Sequence, residues 1–217
     1  MKKITNLIIV DASGSMWNKS EEVKGGLKGL VKDIRKDMKT NKEEVKVKTI
    51  ICQFNSHGTF NVLVNSSKRK NINNDIADNY KAGGGTALYD AIGAGFALVG
   101  KKQDGVFVSI LTDGEENDSK EFTSDDIKSL FKKAKKAKWG LTFMGTTEKA
   151  IQSAVSLGVN ITNTYQFADS ADGLKMSNVT RGASRNMYYA SVLKAKSSKD
   201  IQTTNLVETD VETDDVV

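Results

Sequence analysis

The chain has 217 residues, 38% of them hydrophobic, with a formal net charge of +5 and no proline. That is enough apolar material for one sizeable core, so a single domain plus a tail is expected. One cysteine (Cys52) excludes a disulfide framework and points to a reducing compartment, and one Cys with one His (His57) cannot build a zinc site of the usual kind.

The first apolar run, Ile4 to Val10, follows Met1-Lys2-Lys3. It is short, contains Thr5 and Asn6 and runs straight into Asp11, so it reads as a first strand rather than a secretion signal. No run approaches the length of a membrane span, and a cytoplasmic location is expected. The strand ends in Asp11-Ala12-Ser13-Gly14-Ser15. A carboxylate and two hydroxyls at i, i+2 and i+4 in one tight loop can point at one spot, and such hard oxygens suit Mg²⁺, Mn²⁺ or Ca²⁺ rather than zinc or copper. The plainer alternative is a turn, because Ser, Gly and Asp are common turn residues.

A helix is expected from near Ser20-Glu21-Glu22, with Val23, Leu27, Leu30, Val31, Ile34 and Met38 at helical spacing. Gly25, Gly26 and Gly29 cost it about 1 kcal/mol each relative to Ala, for which close packing on a sheet is one explanation. Val45 to Phe54 is a second strand, and a turn over Asn55-Ser56-His57-Gly58 leads to a short antiparallel edge strand, Gly58 to Val64. His57 is expected to be exposed in that turn. Gly83-Gly84-Gly85-Thr86 is a flexible loop ending in a hydroxyl, ahead of an apolar helix from Ala87 to Val99. A buried-strand run from Gly105 to Thr112 ends in Asp113-Gly114. Helices over Ser124–Lys138, Glu148–Leu157 and Ala171–Ala195 and strands over Leu141–Gly145 and Thr164–Phe167 complete the pattern. Strands alternating with helices give an α/β fold: an open, doubly wound, mostly parallel sheet with one antiparallel edge strand and helices on both faces. Loops at the carboxyl ends of such strands share one edge, so the Asp/Ser/Ser loop, Thr86 and Asp113 can meet there.

With Asp11-Ala-Ser13-Gly-Ser15, Gly84-Gly85-Thr86 followed by Leu88-Tyr89-Asp90-Ala91, and Leu111-Thr112-Asp113-Gly114 in view, the chain resembles the von Willebrand factor A domain family over roughly residues 3 to 195. It is similar to the small stand-alone cytoplasmic A-domain proteins of bacteria and their phages, including those linked with tellurium resistance. The resemblance implies a Rossmann-like fold and a metal-ion-dependent adhesion site. Ser13 and Ser15 would bind Mg²⁺ directly, Thr86 directly or through a water, and Asp11 and Asp113 mainly through waters. A cation held by neutral hydroxyls stays electrophilic and keeps an exchangeable water, which a carboxylate can replace. The implied role is a protein-binding module whose partner supplies an Asp or Glu; in relatives that partner is often an ATPase of a shared complex or another component of a stress or defence system. Met16, Trp17, Tyr89 and Glu115 are the candidate rim contacts, Trp17 as an anchor. The N-terminal ends of the first helix and of the helix after Thr86 would face the site and favour an incoming anion. Glu115-Glu116-Asn117-Asp118 departs from the family by its acidity, which would raise cation affinity and repel an acidic ligand.

The domain is expected to span 1–197 and an acidic tail 198–217. The tail holds Lys199 against Asp200, Glu208, Asp210, Glu212, Asp214 and Asp215, hence −5, which leaves +10 on the body. Such a segment is expected to be mobile by itself. Its Asp210 or Glu212 could occupy the metal site of the same or a neighbouring molecule, which is the alternative reading of a self-assembling structural protein. Nothing in the sequence sets an oligomeric state. Lys132, Lys133, Lys135, Lys136 and Lys138 could form a nucleic-acid patch, but Ile127, Leu130, Phe131, Ala134 and Ala137 make them the wet face of an amphipathic helix, and no stacking aromatics accompany them. Neither nucleic acid nor membrane is an expected partner. An enzyme is not expected either. A metal-dependent hydrolase would need a general base, and Glu115, Glu116 and Asp118 on the rim are the least implausible ones. Asp11 lacks the second aspartate of a haloacid-dehalogenase-type phosphatase, and Gly83 to Thr86 lacks the Gly-Lys-Ser/Thr ending of a P-loop.

Overall fold

Six strands form one sheet in the order β3-β2-β1-β4-β5-β6 in a computed structural model that describes residues 1–40, 44–113 and 115–207. They are β1 (Lys2–Asp11), β2 (Val45–Phe54), β3 (Phe60–Ser66), β4 (Gly105–Thr112), β5 (Gly140–Gly145) and β6 (Thr164–Gln166). All neighbours are parallel except β3, which runs antiparallel to β2 at the edge. The helices are α1 (Ser20–Thr40), α2 (Asp75–Asp78), α3 (Leu88–Ala97), α4 (Ser124–Lys136), α5 (Glu148–Ser156) and α6 (Ala171–Lys194). The architecture is the expected α/β one, and every expected strand and helix is present with ends moved by a few residues.

Every residue of β4 is buried, as a continuous apolar run demands when both sheet faces are covered. Alternation along β1 divides the core. Leu7 and Ile9 face Leu88 and Ile92 of α3, Ile127 and Phe131 of α4 and Ala154 of α5. Ile8 and Val10 face Val23, Leu27, Leu30, Val31 and Ile34 of α1 and Leu174 of α6. Each such side chain contributes about 1.5–3 kcal/mol on burial. A third cluster joins the strand starts at Ile4, Val45 and Phe107 to Tyr188 and Val192 of α6 and to Ile201 and Leu206 beyond it. Residues 198–207 thus lie against the domain, with Asn163 Nδ2 donating to Thr203 O at 2.7 Å and Leu206 N–H to Asn163 Oδ1 at 3.0 Å. The tail acids Asp210 and Glu212 lie outside the described residues.

Two local expectations are corrected. Gly25, Gly26 and Gly29 do not serve sheet packing: a Cβ on Gly26 would come 2.2 Å from Asn178 Nδ2 on α6, while Gly25 and Gly29 face open space. The edge strand starts at Phe60, because Gly58 takes φ +75° and Asn55 N–H closes the turn onto Thr59 O. On α4, Ile127, Phe131 and Ala134 are buried and Lys132, Lys133, Lys135 and Lys136 are exposed. Among the described residues no helix is long and apolar enough to cross a membrane.

From β1 the chain winds outward through β2 to β3, then returns to the other side of β1 and winds through β4 and β5 to β6. The loops leaving β1 and β4 therefore part in opposite directions, opening a crevice at their carboxyl ends. Asp11 and Asp113 stand at its two sides.

Candidate metal centre

Ser13, Ser15 and Asp113 converge in that crevice. Ser13 Oγ lies 3.0 Å from Ser15 Oγ, and Ser15 Oγ donates to Asp113 Oδ1 at 2.6 Å. Asp11, fully buried, sits beneath them. Its Oδ1 accepts the Ser13 N–H at 2.7 Å, which closes the Asp-x-Ser turn, and its Oδ2 accepts Thr112 Oγ1 at 2.5 Å. Burial pushes the Asp11 carboxyl up to about 6, against the hydrogen bonds from Thr112 and Ser13 that favour its ionised form; Asp113 nearby adds to the rise. Tyr80 fixes the same corner from below, its phenol donating to Asp11 O at 2.8 Å.

Thr86 lies on the second loop, which main-chain bonds tie to the first. Gly14 N–H donates to Gly84 O at 2.9 Å and Gly83 N–H to Ala12 O at 2.8 Å, so the first two loops are joined main chain to main chain. Gly84 needs to be glycine: its φ is +83° and a Cβ would stand 2.4 Å from Ser56 Oγ. Thr86, 4% exposed, is then clasped by Asn117, which accepts the Thr86 N–H on its side chain at 2.9 Å and donates its own N–H to Thr86 O at 3.0 Å.

The acidic loop after Asp113 is engaged with the protein itself. Glu116 accepts the N–H of Tyr89 in the first turn of α3 at 2.9 Å, Ser119 Oγ at 2.6 Å, and the N–H groups of Asp118 and Ser119 at 2.9 and 2.7 Å. The start of α3, expected to favour an incoming anion, already holds this carboxylate. Asp118 accepts the His57 N–H at 3.0 Å, and Glu115 pairs with Lys149 at 2.7 Å. His57 is not the free loop residue expected: its Nδ1 lies 2.9 Å from Asp90 Oδ2 and its side chain is one-third exposed.

Of the rim candidates, Trp17 is 66% exposed and walls an open groove with Glu21, Lys24, Tyr80 and Lys81. Tyr89 is half-buried and Glu115 exposed. Met16 is wrongly placed on the rim: it is 0% exposed, because the 3₁₀ turn over Gly14–Lys19 folds this apolar side chain into the core beside Val10 and Val23. Reading the sequence also missed Lys19, whose Nζ lies 2.5 Å from Asp113 Oδ2 and 2.5 Å from Asp169 Oδ1. Burial alone would lower its pKa, but the two carboxylates outweigh that and raise it. Its position four residues after Ser15, on a turn leading away from the loop, was the available signal.

The family pattern described as von Willebrand factor type A domain matches residues 7–181, most of the chain. This chain belongs to that family. No curated protein matches it. Among solved structures, the A domain is similar to the pilus adhesin SpaC from Lactobacillus rhamnosus GG in its open conformation (TM-score 0.64, 16% identity, 84% of this chain and 30% of that one). It is similar to the SpRpn10 VWA domain (TM-score 0.58, 13% identity, 83% and 95%). It is also similar to proximal thread matrix protein 1 from the mussel byssus with a zinc-occupied MIDAS motif (TM-score 0.56, 16% identity, 82% and 46%). The chain therefore spans less than half of the adhesin and of the byssus protein, and these likenesses concern the fold.

The donor set fits a hard divalent cation. Ser13 and Ser15 present hydroxyls 3.0 Å apart, Asp11 and Asp113 supply two carboxylates around them, and the loop bearing Thr86 is bonded to theirs. Among the described residues no three His, Cys, Asp or Glu side chains are grouped to hold a metal, so the seat rests on these hydroxyls and two carboxylates. Members of the family often bind metal at such a site and mediate protein interactions.

Proposed function

We propose that this A domain is a protein-binding module that holds Mg²⁺ between Ser13, Ser15, Thr86, Asp11 and Asp113 and captures an Asp or Glu carboxylate of a partner, with Mn²⁺ and Ca²⁺ as substitutes. The observation that carries the reading is the Ser13–Ser15–Asp113 chain of contacts over the buried Asp11 at the crevice between β1 and β4. When bound, the cation supplies an electrophile whose water a carboxylate can replace. The protein's own part is positional: backbone bonds between the loops hold the hydroxyls in place, and Asp11 is buried so that its charge is turned inward. Trp17, Tyr89 and Glu115 flank the opening as partner contacts. The zinc-occupied motif of the mussel protein supports divalent binding as such. A component of a stress or defence complex, such as an ATPase, is the partner class that the resemblance implies. The reading is of binding rather than turnover, since Glu115, Glu116, Asp118 and His57 are each engaged by other groups of the chain.

The test is affinity capture from the native host in Mg²⁺ and in EDTA, with Ser13→Ala and Asp113→Ala beside the wild type. A protein retained only by wild-type bait in Mg²⁺ establishes the module and names its partner. Equal recovery under all conditions overturns the reading.

A further inference from the structure

Lys19 ends the 3₁₀ turn that follows Ser15 and brings an ammonium into the middle of the candidate metal centre. Its two contacts differ in kind. Asp113 has a side chain only 3% exposed, with one oxygen on Ser15 and the other on Lys19. Asp169, on the connection from β6 to α6, is 58% exposed at the mouth of the crevice. One lysine thus bridges an inner carboxylate that a cation would need and an outer one that it would not. A positive group on a cation ligand opposes loading, because like charges a few ångströms apart repel and the partly buried setting screens them less than water does. A tethered ammonium also carries a high effective concentration, whereas a free ion does not.

We infer that Lys19 is a built-in counter-ion that competes with the divalent cation for Asp113, and that Asp169 is the partner on which Lys19 stays neutralised once Asp113 is given up. This rests on the cation reading proposed above. Asp113 then has two alternative partners, a tethered monovalent one and a free divalent one, and the free ion's concentration decides between them. Lys19 sets the threshold of divalent ion at which the site loads, and Asp169 lowers that threshold by giving the displaced ammonium a place to rest.

The experiment is calorimetric titration of Mg²⁺ and of Mn²⁺ into the full chain, for wild type, Lys19→Met, Asp169→Asn and the double variant. Ser13→Ala is the control for the site, Lys19→Gln a second charge-removing variant, and thermal melts check the fold. Lys19→Met and Lys19→Gln are expected to bind on the order of tenfold more tightly, about 1.4 kcal/mol. Asp169→Asn is expected to bind roughly threefold more weakly, and the double variant to match Lys19→Met, since Asp169 acts through the ammonium. Wild-type binding that Ser13→Ala abolishes but both Lys19 variants leave unchanged or weaken overturns the role of Lys19 alone. An Asp169→Asn loss that persists without Lys19 overturns the resting role of Asp169. No binding in the wild type or in either Lys19 variant removes the cation reading and this inference with it.

Discussion

Replacing Glu116 tests whether the acidic loop builds the site or only surrounds it. The carboxylate accepts four hydrogen bonds, three from backbone N–H groups and one from the Ser119 hydroxyl. One of the donors, Tyr89 N–H, belongs to the first turn of α3 and has no partner within the helix. A hydrogen bond to a charged acceptor contributes about 1.5–3 kcal/mol when nothing replaces it. Glu116 is half-buried, so water takes over part of each, leaving about 0.5–1 kcal/mol apiece and about 2–4 kcal/mol in all. Glu116→Ala should lower stability by that amount, and the melting temperature by roughly 5–12 °C for a domain of this size. Glu116→Gln should cost about half as much, because its amide oxygen still accepts on one side while the amino group cannot accept on the other. Both variants should also weaken divalent-ion binding, since the adjacent Asn117 holds Thr86 by two hydrogen bonds. Urea and thermal unfolding by circular dichroism measure the first effect and calorimetric titration the second. A Glu116→Ala variant within 0.5 kcal/mol of wild type, or a Glu116→Gln variant as damaged as the alanine, would refute the reasoning.

Met16→Ala should cost about 2–5 kcal/mol as a core truncation, whereas Trp17→Ala, on an exposed side chain, should stay within about 0.5 kcal/mol and reduce partner capture; equal stability losses in urea unfolding would contradict that placement. Burial pushes the Cys52 thiol up to about 12, so thiol reagents at pH 8 should label the chain only after denaturation, and rapid labelling of the native protein would show the strand to be open. Burial alone would raise the Asp90 carboxyl, but the hydrogen bonds from His57 and from the N–H groups of Lys120, Phe122 and Glu121 outweigh it and hold it below its ordinary 3.8. Its contribution to stability is therefore complete above that value and lost as pH falls through the lower folded value, so acid unfolding curves of Asp90→Asn should be flatter below pH 3.8 than those of wild type, and superimposable curves would dismiss the effect.

What the sequence made legible was whatever follows from periodicity and from a strand's end. β2 and β4 have the expected ends because apolar runs stop abruptly at Phe54 and Thr112, and α1 starts at the expected Ser20. Asp11, Ser13, Ser15, Thr86 and Asp113 could be singled out because each follows or ends such a signal. What stayed hidden depends on contacts between distant residues. Nothing local marks Lys19 and Asp169 as partners, and Asn117 reads as one more polar loop residue until Thr86 is placed beside it. Met16 stayed hidden for the opposite reason: a methionine directly after the Asp11–Ser15 loop reads as part of its rim, but in a 3₁₀ turn it is carried round to the inside. The acidity of Glu115 to Asp118 was expected to raise cation affinity and repel an acidic ligand; Glu116, Asn117 and Asp118 instead supply acceptors for backbone groups that a sequence does not show to be unsatisfied.

The main-chain joins between the Asp11–Ser15 and Gly83–Thr86 loops have a further consequence. Because amides and carbonyls rather than side chains knit these loops together, their shape is largely indifferent to which residues flank them. Trp17, broadly exposed, should be exchangeable without disturbing the seat below, whereas Tyr89 also packs against the core. A library randomised at position 17 should therefore yield folded proteins with altered preferences, and the crevice becomes a socket whose outer lip can be recut while its floor stays the same.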